Sequence, residues 1–257
     1  MLEIYENIYG HLNRTKWIMN QVKKEEKGLE FGCGTGVMIT AYFLQNNYLC
    51  EGIDLDDPCI EYGQDIFKSH GLDPDALMRK DLNLISDNTY DYIIASEVFE
   101  HIEANQIDDI IGLLKLKLKP GGQLFVTVPN GYGWFEFEAF VYGRLKIGWI
   151  LEKLYVIKAI GTVKKMLGVK QNMHPSTIAN SPHVRRFTWN SIQKLLTKHQ
   201  FIITEKRGSV LFCGSFSSIL FTGIRPIMSL SRMLGKHLGP ISSGFYFTAI
   251  LKEEKSS

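Results

Sequence analysis

Gly28-Leu-Glu-Phe-Gly-Cys-Gly-Thr-Gly-Val-Met-Ile39 is the stretch whose reading decides the fold. Leu29 to Phe31 read as the end of a buried strand, Gly32, Gly34 and Gly36 as a tight turn, and Val37 onward as the start of a helix. A strand-turn-helix of this kind lets a ligand approach the backbone closely, because glycine has no Cβ and tolerates positive φ. The helix N-terminus is then expected to offer unpaired N–H groups to something polar or anionic. Dinucleotides and S-adenosylmethionine both use such loops, and the spacing separates them. A dinucleotide fingerprint G-x-G-x-x-G beginning at Gly32 needs a third glycine at position 37, where this chain has Val37. The spacing here is G-x-G-x-G.

Acidic residues recur at the ends of the strands that follow. Tyr48 to Leu55 reads as the second strand, and Asp54 stands at its tip, about 20 residues beyond the turn, where a carboxylate can accept hydrogen bonds from both ribose hydroxyls of an adenosine. A helix from Pro58 to His70 follows, with Asp56 or Asp57 placed to cap it. Ala76 to Leu82 reads as a third strand ending in Lys80-Asp81-Leu82. Tyr90 to Ser96, apolar nearly throughout, reads as a central parallel strand buried on both faces. It delivers Glu97-Val98-Phe99-Glu100-His101-Ile102 to the carboxyl edge of the sheet, where open α/β sheets bind ligands.

The G-x-G-x-G turn, with Glu30 two residues before its first glycine, resembles motif I of the class I S-adenosylmethionine-dependent methyltransferases. The resemblance implies that Glu30 helps hold the methionine end of that cofactor while Gly32, Cys33, Gly34 and Gly36 pass beneath it. It further implies ribose contact at Asp54 and Leu55 and adenine contact at Asp81 and Leu82. The Glu97 to His101 block resembles the Glu-x-x-Glu-His stretch of small-molecule O-methyltransferases, including those of ubiquinone biosynthesis. It does not resemble the Asn/Asp-Pro-Pro-Tyr motif of enzymes that methylate nucleobase amino groups.

In this block Glu97 is counted with the cofactor-binding candidates, and the bland alternative is that it caps backbone amides near the cofactor while His101 packs in the turn. His101 is assigned as the general base on an acceptor hydroxyl, since an imidazole titrates near neutrality. Some relatives use a Glu/Glu/His group to hold a divalent metal, and Glu97, Glu100 and His101 have suitable chemistry for Mg²⁺, Mn²⁺ or Zn²⁺. Packing of His101 in the turn is the third alternative, and no metal site is assigned.

Composition bounds the rest. A chain of 257 residues can bury a sizeable core, and it is read as one methyltransferase domain over 1–257. Its parts are N-terminal helices at 1–27, a cofactor-binding core at 28–130, a helical lid at 131–180 and the remainder of the core at 181–257. A net charge of +2 gives no global field that points to nucleic acid. Cys33, Cys50, Cys59 and Cys213 lack C-x-x-C spacing, so neither a zinc knuckle nor a disulfide framework is suggested, and a reducing, cytoplasmic setting is expected. Glu3 and Glu6 argue against a signal peptide, and the uncharged run Gly208 to Ile224 falls short of a membrane span.

Leu2 to Lys24 has the spacing of an amphipathic helix broken near Gly10, with Tyr5 and Tyr9 either packed on the sheet or touching a ligand. Gln106 to Leu118 reads as a helix stopped by Lys119-Pro-Gly-Gly122 before a fifth strand, Gln123 to Val128. The βα alternation predicts a doubly wound, mostly parallel α/β sheet of seven strands. Gly131 to Asn172 is rich in aromatic and basic residues, and reads as a helical lid over the substrate pocket; a peripheral membrane contact and a lipid-linked acceptor are the alternative.

Ser181 to Asn190 resembles a His-x-x-x-Phe-Thr segment that closes one wall of the substrate site in related sequences, which makes His183 and Arg186 substrate-contact candidates. A helix from Ser191 to His199 follows. Phe201 to Val210 and Phe245 to Glu253 read as an antiparallel pair at one edge, with one amphipathic helix, Ser215 to Leu238, between them. Lys255 to Ser257 are expected to be disordered. The function expected is methyl transfer from S-adenosylmethionine to a small molecule, most simply at a hydroxyl oxygen, with a non-catalytic binding module as the rival.

Overall fold

Seven strands form one sheet: β1 Lys27–Phe31, β2 Leu49–Asp54, β3 Leu77–Arg79, β4 Tyr90–Ser96, β5 Leu118–Pro129, β6 Phe201–Gly208 and β7 Gly244–Leu251. The computed structural model describes residues 1–170, 174–179 and 182–252. Asn172, Ser181, Glu253 and the segment Lys255 to Ser257, which bound or make up expected segments, lie outside the described residues. Ten helices accompany the strands: α1 His11–Met19, α2 Thr40–Gln45, α3 Asp57–Ser69, α4 Ile107–Lys117, α5 Trp134–Arg144, α6 Ile147–Lys153, α7 Val156–Met166, α8 Trp189–Lys198, α9 Ser215–Phe221 and α10 Arg225–His237.

The spatial order is β3-β2-β1-β4-β5-β7-β6. β7 lies antiparallel between β5 and β6, and the remaining pairings are parallel. β1 pairs with β2 on one side and β4 on the other, with Phe31 opposite both Ile53 and Ala95. The chain therefore reverses direction across the sheet at β1, and the carboxyl ends of β1 and β4 lie together at the crevice where such sheets take ligands. The expected seven-stranded doubly wound class is the one observed.

Both sheet faces are covered by apolar helix stripes. On one face Ile107, Ile111 and Leu114 of α4 and Ile192 and Leu196 of α8 bury against Leu124, Val126 and Phe247. On the other, Trp17 of α1 stacks on Tyr246 at 5.1 Å and meets Phe125 edge-on at 5.9 Å. Each such side chain, taken fully from water, contributes about 1.5–3 kcal/mol. All four cysteines are buried and unpaired.

Several boundaries differ from the sequence reading for local reasons. Helix forms only from His11, because Glu6 and Asn7 spend their side chains on the amides of Asn7, Tyr9 and Asn13, an alternative to helical pairing. β3 stops at Arg79, and Asp81 instead caps a short 3₁₀ turn, Leu82–Leu84, by accepting from Asn83 N. The helix expected over Ser215 to Leu238 is two, α9 and α10, separated by Gly223 at φ 92°.

Candidate active site

The glycine turn is built as its sequence requires: Gly32, Gly34 and Gly36 have φ of 68°, 55° and 66°. Its amides, however, are not free for an anion. Gly32 N and Cys33 N both donate to Ile53 O, Gly34 N donates to Asp54 Oδ2 at 2.8 Å, and Gly36 N donates to Cys33 O. Thr35 N donates to Ser176 O at 3.0 Å. The expectation of unpaired N–H groups is thus corrected. Helix α2 begins only at Thr40, whose own amide is taken by Glu30 Oε2. What remains at this crevice is carboxylate: Glu30 and Asp54 flank the turn.

Glu30 is buried, and its Oε2 accepts from Thr40 N at 2.9 Å and Thr40 Oγ1 at 2.5 Å. Burial pushes its pKa up to about 7, against the opposing pull of the Thr40 bonds. Asp54 uses Oδ2 for Gly34 N and Oδ1 for Asp56 N at 3.0 Å, which fixes the carboxylate at the strand tip while each oxygen keeps further acceptor capacity. Asp56, as expected, caps α3 by accepting from Cys59 N. Leu55 is exposed beside Asp54, whereas Leu82 is buried in the core behind Asp81.

A short segment, residues 174–179, lies across the turn. Thr35 Oγ1 donates to Pro175 O at 2.8 Å, Ile178 N donates to Cys59 Sγ at 3.4 Å, and Tyr62 OH lies 2.9 Å from His174 Nδ1. The segment comes so close that a Cβ on Gly34 would stand 2.4 Å from Ser176 O. Two cavities, of about 610 and 410 Å³, open beside α5 rather than over the glycine turn, and neither is lined by Gly32, Asp54 or His101. The chain's own backbone occupies the space above Gly34.

At the end of β4, Glu97 is held at φ 57°, a conformation that costs a non-glycine residue about 1–2 kcal/mol. Its amide donates to Thr127 O, and its Oε1 accepts from Thr127 Oγ1 at 2.9 Å and pairs with Arg14 at 3.1 Å. The partners of its carboxylate are thus side chains, those of Thr127 and Arg14. Among the described residues, Glu97 is not one of the three whose donor atoms converge as a metal set would need. That set is completed differently: Glu100, His101 and His183 each bring a donor atom to within 4.8 Å of the others.

Glu100 is buried, its Oε2 has no hydrogen-bond partner among the described residues, and burial with the nearby Glu97 charge holds its pKa well above the usual carboxylate range. His101 Nδ1 lies 3.1 Å from Pro182 O. A carbonyl can only accept, so Nδ1 carries the proton and Nε2 presents a lone pair. The His183 ring meets His101 edge-on at 5.0 Å, and burial lowers its pKa, with a further lowering from His101 whenever that ring is protonated. Val184 N and Arg185 N donate to Glu100 O, so the segment that precedes α8 is bonded to the short 3₁₀ turn Phe99–His101 after β4. Arg186 pairs with Glu136 of α5 at 3.5 Å, outside this cluster.

The crevice thus brings Glu30, Cys33, the three glycines and Asp54 to one turn, and Glu100, His101 and His183 to the neighbouring strand end. Asp81 lies further along the edge, bonded to Asn83. Tyr9 donates to Gly214 O and packs on Phe135, a structural position. Residues absent from the sequence reading are Thr40, which holds Glu30, Arg14, which holds Glu97, and the Pro175-Ser176 crossing. Arg14 alone carried a signal: it falls four residues before Ile18 on the apolar stripe of α1, where a charge needs a buried partner.

Residues 14–206, more than half of the chain, match the family model described as a methyltransferase domain. A ribosomal protein L11 methyltransferase of Neisseria meningitidis is 24% identical over 112 residues, 44% of this chain and 35% of that protein. The chain spans about a third of the length of the curated relatives it matches. A SAM-dependent methyltransferase of Methanosarcina mazei superposes with a TM-score of 0.57 at 20% identity, over 93% of this chain and 98% of that one. Magnesium protoporphyrin IX methyltransferase of Synechocystis, solved with bound SAH, gives 0.54 at 13% identity over 95% and 84%.

The seven-stranded fold is the one shared with these solved SAM-dependent methyltransferases. The chain belongs to the methyltransferase-domain family.

Proposed function

We propose that the enzyme methylates a hydroxyl oxygen of a small molecule, with His101 as the general base. The observation that carries this reading is the His101 tautomer: Nδ1 is committed to Pro182 O, so Nε2 can take a proton at the carboxyl edge of β4. The donor's electrophilic methyl needs only an aligned nucleophile. Bound at this crevice, S-adenosylmethionine would supply the electrophilic methyl and leave as a neutral thioether, while His101 Nε2 would take the proton released by the acceptor hydroxyl. Glu30 and Asp54, at a turn whose amides are all bonded internally, suit a cationic donor better than a phosphate-bearing one. His183 and Arg186 are the candidate acceptor contacts, and Leu55, Asp81 and Leu82 remain the candidates for the adenosine end.

A second reading of the same cluster is favoured by the unpartnered buried Oε2 of Glu100. Glu100, His101 and His183 form a mixed oxygen and nitrogen donor set that fits a divalent ion such as Mn²⁺ or Zn²⁺. A bound ion would supply Lewis acidity, lowering the pKa of an acceptor hydroxyl. The protein acceptor of the L11 enzyme is not carried over, because the shared stretch is under half of this chain.

His101→Ala tests the base assignment. Transfer to a hydroxyl acceptor should slow about 10²- to 10⁴-fold while affinity for S-adenosylhomocysteine stays as in the parent. Full transfer rates in that variant would move the base elsewhere.

A further inference from the structure

We propose that helices α6 and α7 form a docking face for an anionic phospholipid bilayer. The observation is a helix pair that does not bury its apolar residues. α7 contains Val156, Ile157, Ile160, Val163 and Met166, yet none of its residues is buried. In α6 only the glycine at position 148 is. α8, of similar length, buries Ile192, Leu195 and Leu196 as a helix of a soluble domain should. Among the apolar side chains left to solvent, Trp149 is 60% exposed, Leu154 66%, Tyr155 65%, Met166 82% and Leu167 75%.

The charge on this face selects the occupant. Between Arg144 and Lys165 the chain places six basic residues against the single acid Glu152, in a protein whose net charge is only +2. Cations and aromatic rings are interleaved: Lys153 Nζ lies 4.8 Å over the Trp149 ring, and Lys158 Nζ lies 5.3 Å over Tyr155. Trp and Tyr beside Lys, with exposed aliphatic residues between them, is the composition of a helix that lies in the headgroup region of a membrane. A second copy of the chain would bring two basic faces together, whereas an anionic lipid surface complements them. No described helix is long and apolar enough to cross a bilayer, so the contact is interfacial. The inference is independent of which atom of the acceptor is methylated.

The test is co-sedimentation of the full chain with phosphatidylcholine vesicles and with vesicles containing one-quarter phosphatidylglycerol. Binding is expected to the anionic vesicles, to weaken with added salt, and to be accompanied by a blue shift of tryptophan emission. The double variant Lys153→Glu, Lys158→Glu should bind at least roughly 30-fold more weakly. Trp149→Ala should lose most of the blue shift. Both should bind S-adenosylhomocysteine like the parent, which separates loss of docking from loss of fold. Absence of sedimentation with anionic vesicles overturns the proposal. So does self-association that Trp149→Ala abolishes, which would make the face an interface between copies.

Discussion

Replacing Glu30 by Gln removes a titration that the fold makes costly. Burial raises the Glu30 carboxyl from 4.5 to about 7, so between those values the folded protein keeps a proton that the unfolded chain has released. Stability contributed by this group therefore falls as pH rises from about 4.5 to 7 and stays lost above it. The gap in pKa corresponds to ~3 kcal/mol by pH 8 and a few tenths of a kcal/mol at pH 4.5. Gln is nearly isosteric, and its carbonyl oxygen can still accept both Thr40 bonds. Denaturant unfolding of parent and Glu30→Gln at pH 4.5 and pH 8 isolates the effect, since other titrating groups cancel in the comparison. Near-equal stabilities are expected at pH 4.5, with the variant more stable by ~2–3 kcal/mol at pH 8. Equal stabilities at both pH values would refute the reasoning, and would mean that the Thr40 hydrogen bonds outweigh desolvation and keep Glu30 ionised in the fold.

Two further outcomes test the crevice. Asp54→Ala strips the acceptor from the Gly34 and Asp56 amides and from any ribose above them. Calorimetric titration with S-adenosylhomocysteine should show affinity reduced at least ~10-fold, the loss of one hydrogen bond to a charged group, and unchanged affinity removes Asp54 from the cofactor site. Saturating Mn²⁺ or Zn²⁺ should raise the melting temperature by roughly 5 °C or more if Glu100, His101 and His183 hold it, given ~2.7 kcal/mol at a hundredfold excess over Kd. His183→Ala should abolish that rise, and its persistence would place any ion elsewhere.

The features legible in the sequence are those fixed by short-range chemistry. Gly32, Gly34 and Gly36 announce a turn of positive φ, the apolar run Tyr90 to Ser96 announces a central strand, and Asp56-Asp57-Pro58 announces a capped helix. What escaped reading depends on partners far along the chain. Glu97 is turned by Arg14 and Thr127, and His101 is oriented by Pro182, so neither side chain's direction follows from its neighbours in sequence. His183 stands where Glu97 was considered in the donor cluster because the segment before α8 bonds to the turn after β4, a contact that for His101 and Pro182 closes 81 residues of chain and that no local pattern encodes. Glu6 and Asn7 defeat the expected first helix through side-chain bonds that periodicity does not register.

The crossing of residues 174–179 over the glycine turn has a thermodynamic corollary. Ser176 O holds the Thr35 amide and stands against Gly34, on the surface over which a nucleoside bound at Asp54 would lie. Where two occupants contend for one surface, each must weaken the other by the same factor. Contacts that anchor the segment to α3 through Cys59 and Tyr62 thus act as built-in antagonists of ligand entry, and residues remote from the crevice acquire leverage over affinity. The segment follows α5, α6 and α7 along the chain, so any ligand that displaces it pulls on the same covalent path that carries those helices.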